Sequence, residues 1–307
     1  MDVVSDAITA VRTGTPASNR LKVSGRWGAH LPPYTGAGFH VMLAGSCWLL
    51  PDGGGAPLPL AAGDVVLLPR GSGHALADRE LPPEQALRLP ELDTLRAPKE
   101  VDGPQDGAAE LLCGKYRLDN VVTHPLMSGL PEILHFSTRD GRHPELRGAV
   151  DLLGAEVAAD RPGGALALPA LVDLLLVYLV RAWTTREDAD GWAAALADPV
   201  VAAALAVIHE DPAREWTAPE LGRHVGVSRA TLVRRFTRRT GMAPMTYLAW
   251  WRMTRAATLL KRGTDSLDTV ARKVGYSSQY TFSPAFRRQF GITPGRYRVA
   301  AGIAPRS

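Results

Sequence analysis

The stretches LGRHVGVSRATLVRRFTRRTGMAP (Leu221 to Pro244) and VARKVGYSSQYTFSPAFRRQFGITP (Val270 to Pro294) repeat one another near the C-terminal end of the chain. Val225-Gly226 answers to Val274-Gly275, Phe236 to Phe286, Gly241 to Gly291 and Pro244 to Pro294, at a spacing of about 50 residues with one residue extra in the second copy. Each copy reads as a helix, a tight turn at glycine, a second helix begun by serine, and a glycine stop. That order is how a helix-turn-helix is written. A single match is a weak signal, but two in register, both carrying paired arginines, point to a DNA-binding module with two reading helices.

In the first copy Thr217 is placed to cap a helix from Ala218 to about Val225, with Pro219 and Glu220 suited to its first turn, and Ser228 caps the next helix. On that second helix Leu232 and Phe236 stand four apart and face inward, which turns Ala230, Val233, Arg234 and Thr237 outward together. Arg234 is the leading candidate for base readout, because a planar guanidinium can bond guanine O6 and N7 at once. Arg229, at the helix start, is within reach of a base or a phosphate. Arg235, Arg238 and Arg239 are expected to contact phosphate or stay solvated, and such contacts orient without specifying sequence. In the second copy Phe282, Phe286 and Phe290 form an aromatic core stripe, leaving Gln279, Tyr280, Ser283 and Arg287 for DNA. Gln279 can read adenine bidentately. Between the copies, Met245 to Leu260 is compatible with one continuous helix packed through Leu248, Trp251, Ala256 and Leu259.

Charge supports this division. Of 307 residues carrying a formal +4, the segment from Glu210 to Arg298 holds 17 Lys or Arg against 6 Asp or Glu, a net +11 that leaves the remainder at −7. A basic end beside an acidic remainder is the electrostatic footprint of phosphate binding confined to one domain.

These motifs, WTAPELGRHVGVSRATLVRRF, YLAWWRMTRAATLL and VARKVGYSSQYTFSPAFRRQFGITPGRYR, together resemble the DNA-binding domain of AraC/XylS-type transcription regulators. The resemblance covers about Pro199 to Val299. It implies base contacts from Ala230, Val233 and Arg234 in the first head and from Gln279, Tyr280 and Ser283 to Pro284 in the second. Pro284 departs from the family, whose members often place a basic or polar residue there. A helical proline lacks a donor and tends to kink its helix, so the first head is expected to dominate sequence reading and the second to add mainly affinity.

The first half is rich in Gly and Pro, with short apolar runs. Phe39 to Leu50 reads as a strand, Pro51 to Asp64 as a turn-rich loop and Val65 to Leu76 as a strand and turn, a spacing that argues for a small β-barrel or jelly roll. Leu81 to Gly107 is charged, Pro-rich and without sustained periodicity, and reads as a mobile loop. Helical periodicity begins near Pro144, and helices are expected over Leu166 to Thr185 and Gly191 to Glu210. The first of these is nearly long enough to span a bilayer but contains Pro169, Asp173 and Arg181, so it reads as a buried or dimer-forming helix.

GDVVLLPRGSGHAL (Gly63 to Leu76) carries Gly63, Pro69, Gly71 and His74 at the spacing of the second cupin motif, and with FHVMLAGSCWLL it resembles the cupin-type sensor of a subgroup of AraC-like regulators. The expected architecture is α+β: a cupin-like β-barrel over residues 8–143, a helical linker or dimerisation region over 144–197 and a double helix-turn-helix domain over 198–300. Trp27, His40, Cys47, Trp48 and His74 are the candidate lining of an effector pocket. His40, Cys47 and His74 are also the candidate metal ligands, but the HxH pair of metal-binding cupins is missing, and neither a metal nor a cofactor is expected. Cys47 and Cys113 are too few for a disulfide scaffold and leave open a redox pair.

The function expected is sequence-specific regulation of transcription under an effector or redox signal. Its partners would be double-stranded promoter DNA, a small-molecule effector and a second copy of the chain, in the cytoplasm and with no membrane association. The competing class is a metal-dependent cupin enzyme fused to a DNA-binding domain; a complete metal triad would mark it. A non-specific architectural DNA protein is the third class.

Overall fold

The computed structural model describes residues 2–92, 108–118, 124–159, 161–186 and 191–300. The first part of the chain forms α1 (Val3–Val11), β1 (Arg12–Val23), β2 (Gly28–Leu31), β3 (Ala37–Ala44), β4 (Ser46–Pro51), β5 (Leu58–Ala61), β6 (Asp64–Leu68) and β7 (His74–Ala77). Then follow α2 (Pro83–Ala86), β8 (Ala109–Leu118), α3 (Pro125–Ser128), β9 (Leu134–Ser137), α4 (Pro144–Ala159) and α5 (Gly164–Thr184). The remainder is helical: α6 (Gly191–Ala197), α7 (Pro199–Glu210), α8 (Ala218–His224), α9 (Arg229–Thr240), α10 (Pro244–Arg262), α11 (Leu267–Lys273), α12 (Gln279–Phe290) and α13 (Pro294–Ala300). Of the loop expected over Leu81 to Gly107, residues 93–107 lie outside the described residues, and the part before them contains α2.

Two compact units result, and they do not follow chain order. The sheet unit comprises Arg12–Asn120 and Leu130–Trp183, and the helical unit Met1–Val11, Val121–Gly129 and Thr184–Ser307. The sheet unit holds two antiparallel sheets, one in the order β1-β8-β3-β6-β9 and one in the order β2-β7-β4-β5. The apolar run from Phe39 to Leu50, read as one strand, is in fact two. Gly45, at φ 71°, breaks it and sends β3 and β4 into different sheets; a Cβ at Gly45 would lie 2.0 Å from the Ala108 carbonyl oxygen, so no other residue fits. The stretch read as a turn-rich loop after it carries β5. The inner faces of the two sheets meet in one core that includes Met42, Leu49, Leu60, Val66, Leu76 and Leu111. Alternate residues of β3 share that face, which brings His40 in line with Met42.

α5 is long and apolar enough to cross a bilayer, with a mean hydropathy of 2.0, but one side of it is used inside the sheet unit. Val172, Leu175, Leu176, Leu179 and Val180 are buried, and the Tyr116 hydroxyl donates to the Val172 carbonyl. Its other side leaves Leu166 82% exposed and Leu174 36% exposed.

In the helical unit the helix expected over Gly191 to Glu210 is broken into α6 and α7, which meet at 91°. The cause is local. Pro199 opens α7, and the Asp198 side chain caps it, accepting from the amides of Val200 (3.0 Å) and Val201 (3.2 Å). Around α10 a buried polar chain crosses the apolar packing. Asp6 Oδ2 lies 2.8 Å from His209 Nδ1, His209 Nε2 lies 2.6 Å from the Tyr247 hydroxyl, and that hydroxyl lies 3.0 Å from His124 Nε2. The Leu126 amide donates to His124 Nδ1 at 3.0 Å, which fixes the direction of every proton in the chain. His124 Nε2 must then carry hydrogen and donate to Tyr247, Tyr247 donates to His209 Nε2, and His209 Nδ1 donates to Asp6. All four side chains are buried, with Trp251 stacked on His209 at 4.1 Å between ring centroids.

Candidate nucleic-acid interface

Both helix-turn-helix copies form as the sequence dictates. Thr217 caps α8 in a capping box: its hydroxyl accepts from the Glu220 amide at 3.3 Å, while Glu220 Oε2 accepts from the Thr217 amide at 3.0 Å. Gly226 (φ 74°) makes the turn, Ser228 accepts from the Thr231 amide at 3.2 Å to start α9, and Gly241 (φ 78°) ends it. The second copy repeats this with Gly275 (φ 81°), Ser278 accepting from the Thr281 amide at 3.4 Å, and Gly291 (φ 74°) ending α12. The two motifs are connected by the 19 residues of α10, a continuous helix about 28 Å long at 1.5 Å per residue.

The faces separate cleanly. Leu232 and Phe236 of α9 are fully buried, whereas Arg229, Ala230, Arg234 and Thr237 are exposed and Val233 is half-buried. On α12, Phe282 and Phe286 are buried with ring centroids 5.5 Å apart, Phe290 stacks on at 4.5 Å, and this stripe packs in one core with Met253, Leu260 and Tyr297. Tyr280 stands 80% exposed, Pro284 and Arg287 are exposed, and Gln279 and Ser283 are half-buried. α12 continues through Pro284 to Phe290, so the proline does not end it. The missing amide leaves the Tyr280 carbonyl without its usual donor four residues on.

The arginines of α9 are not equivalent. Among the described residues Arg229, Arg234, Arg238 and Arg239 form no ion pair; the first three are exposed, which leaves their guanidinium groups open to phosphate or base, and Arg239 is half-buried. Arg235, expected to reach phosphate or stay solvated, is instead paired within the chain while still partly exposed. Its Nε and Nη2 lie 3.1 and 2.8 Å from Asp198 Oδ2, a partner 37 residues earlier in the chain. Burial works to raise the Asp198 carboxyl pKa, but the Arg235 guanidinium and the Val200 and Val201 amides outweigh it and hold the group below the usual carboxylate range.

The sheet unit holds a half-open pocket of about 250 Å³, whose lining includes His30, Tyr34, His40, His74, Cys113 and Lys115. Of the five residues read as a pocket, His40 and His74 line it. Trp27 and Cys47 sit in the core between the sheets, and Trp48 packs against a smaller cluster that includes Leu50 and Ala75. The His74 Nδ1–H donates to the Ser72 carbonyl at 2.9 Å, so its Nε2 accepts from His40 Nε2–H at 2.7 Å. Burial, and then the neighbouring His74, pushes His40 well below the ordinary histidine range; burial also lowers His74.

The three candidate metal ligands do not form one donor set. His40 and His74 spend their facing nitrogens on each other, and the Cys47 thiol points at Met42 Sδ, 3.5 Å away. Among the described residues no three His, Cys, Asp or Glu side chains are grouped to hold a metal ion. Cys47 and Cys113 are both free and buried. Burial, helped by Asp64, pushes the Cys47 thiol up to about 12, and burial with Cys47 raises Cys113 as well, so neither carries appreciable thiolate.

His30, Tyr34, Cys113 and Lys115 did not figure in the sequence reading of the pocket. The pairing of β3 with β8 sets Cys113 directly opposite His40, and that register was the missing signal.

Comparison with known proteins finds two family models along the chain. A cupin family model matches residues 2–185, and a helix-turn-helix domain model matches residues 221–300. The chain is 32% identical to a putative AraC-like transcription regulator of Streptomyces lividans, over 97% of this chain and 98% of that protein. It is 31% identical to a putative AraC-like transcription regulator of Streptomyces antibioticus, over 97% and 98%. It is also 29% identical to the HTH-type transcriptional regulator MtrA of Neisseria gonorrhoeae, over 98% and 99%.

Proposed function

The chain belongs to the AraC-like, DNA-binding transcription regulators, and we propose that it reads promoter DNA through α9 and α12 under the control of a small molecule bound in the sheet unit. The observation that carries this reading is the pair of serine-capped helices that bury Leu232 and Phe236, or Phe282 and Phe286, and turn polar residues outward. In the first head Arg234 reads bases, Ala230 and Val233 contact base edges, and Arg229 contacts base or phosphate. In the second, Gln279 and Tyr280 meet bases, with Ser283 beside them and Arg287 on phosphate.

The functional division we propose is a sensor over residues 8–143, a helical connector and dimerisation region over 144–197 and the DNA-binding domain over 198–300. The effector enters the cavity beside His40 and His74. Two copies associate through the exposed stripe of α5 that includes Leu166 and Leu174. The protein acts in the cytoplasm and performs no covalent chemistry; effector binding shifts it between two arrangements whose DNA affinities differ.

Footprinting across the upstream region of the chain's own gene and its neighbours tests the proposal. A protected site that persists as salt is raised, while binding to unrelated DNA falls away, supports a sequence-specific regulator. Uniform, salt-sensitive protection of every fragment contradicts it.

A further inference from the structure

Asp198 does two jobs with its two oxygens. Oδ1 caps α7, and Oδ2 accepts both contacts from Arg235 on α9. The carboxylate is nearly enclosed, its side chain 5% exposed, while that of Arg235 is 33% exposed. α9 also packs on both α6 and α7, the helices that meet at Asp198.

Arg234 and Arg235 are successive residues, so they point about 100° apart around the helix axis. With Arg234 turned to the base edges, Arg235 lies on the flank of the helix, toward the backbone. A free Arg235 on the flank of α9 would be one more open guanidinium beside the exposed Arg229, Arg234 and Arg238, able to bind any phosphate. Such contacts strengthen binding to all DNA alike and so dilute sequence preference.

We infer that Asp198, which lies outside both helix-turn-helix motifs, is a positioning residue for specificity: it withholds Arg235 from the phosphate backbone and fixes the rotation of α9 that presents Arg234. The inference rests on α9 being the first reading helix.

Asp198→Asn isolates the charge, because asparagine caps a helix as well as aspartate does. On a mixed-sequence 30-base-pair duplex, the released Arg235 neutralises one phosphate. The slope of log affinity against log salt then steepens by about 0.9, and affinity at 0.1 M salt rises roughly eightfold. Adding Arg235→Gln to that variant returns the slope to its starting value.

Arg235→Gln alone, which is informative even where Asp198→Asn fails to fold, leaves the mixed-sequence slope unchanged and weakens base discrimination at the position that Arg234 reads. An unchanged slope in a folded Asp198→Asn variant, or a slope flattened by about 0.9 in Arg235→Gln alone, overturns the inference. Arg234→Ala, measured alongside, separates the two levels. If it alters binding to no duplex, α9 is not a reading helix and the inference falls with that reading. If it lowers discrimination while Asp198→Asn leaves the slope as it was, only the role of Asp198 falls.

Discussion

Replacing Tyr247 by phenylalanine removes one oxygen from the middle of the buried chain that runs from His124 through Tyr247 and His209 to Asp6. The ring stays, and with it the packing against Trp192, Trp250 and Phe236 at centroid distances of 5.5, 5.6 and 5.8 Å. Two hydrogen bonds go. Because the Leu126 amide occupies His124 Nδ1, His124 cannot shift its hydrogen to relieve the loss, so its Nε2–H is left without an acceptor. His209 Nε2 is left without a donor. An unsatisfied buried group costs about 1–3 kcal/mol, and omitting the burial of a hydroxyl returns part of that, so the expected loss is about 3 kcal/mol. Urea unfolding near pH 7.5 measures it as a lower midpoint at unchanged slope. A loss below about 1 kcal/mol would refute the deduced proton order, since only a chain free to re-pair its donors escapes so cheaply.

Three further outcomes follow from the same geometry. Burial, and then His209, pushes His124 well below its ordinary 6.5, and burial lowers His209, so below that pH the unfolded chain binds more protons than the folded one. Stability is therefore full above about 6.5 and falls as pH drops, by up to roughly 1.4 kcal/mol per pH unit for each histidine; melting curves from pH 7.5 to 5.5 that stay level would contradict this. The raised Cys47 and Cys113 thiols should react with a thiol reagent only on unfolding, and a Cys47→Ala, Cys113→Ala double variant should bind DNA alike under oxidant and reductant. Rapid labelling of the native protein would restore a redox role. Leu166→Glu with Leu174→Lys should shift sedimentation from dimer to monomer while leaving the melting temperature nearly unchanged, and an unshifted dimer would place the subunit interface elsewhere.

What the sequence made legible is what local chemistry determines. The serines at 228 and 278, the glycines at 226, 241, 275 and 291 and the four-residue spacing of Leu232 and Phe236 each act within one or two turns of chain, and both helix-turn-helix units formed around them. Breaks were less legible. Gly45 lies inside a run that is apolar throughout, and only its close approach to Ala108 forces the strand to divide; Asp198-Pro199 is a helix start that periodicity on both sides conceals. Partnerships across long separations were not legible at all. Nothing near Arg235 announces Asp198, and nothing near Tyr247 announces His124 or Asp6. The cavity lining failed for the same reason: His30 and Lys115 reach it through sheet register and Tyr34 from the connection between β2 and β3, whereas the tryptophans that looked suited to a pocket fill cores.

The central claim, that the outward face of α9 reads the bases, is tested most directly by comparing base preferences before and after Arg234 is cut back. A binding site selected from a random duplex pool, together with its single-base-pair variants, is titrated with the unaltered chain, Arg234→Ala and Gln279→Ala. Arg234→Ala should erase about 1–3 kcal/mol of discrimination at a G·C pair, and Gln279→Ala should erase less. Unaltered preferences in Arg234→Ala, or a larger loss of specificity from Gln279→Ala, would contradict the account.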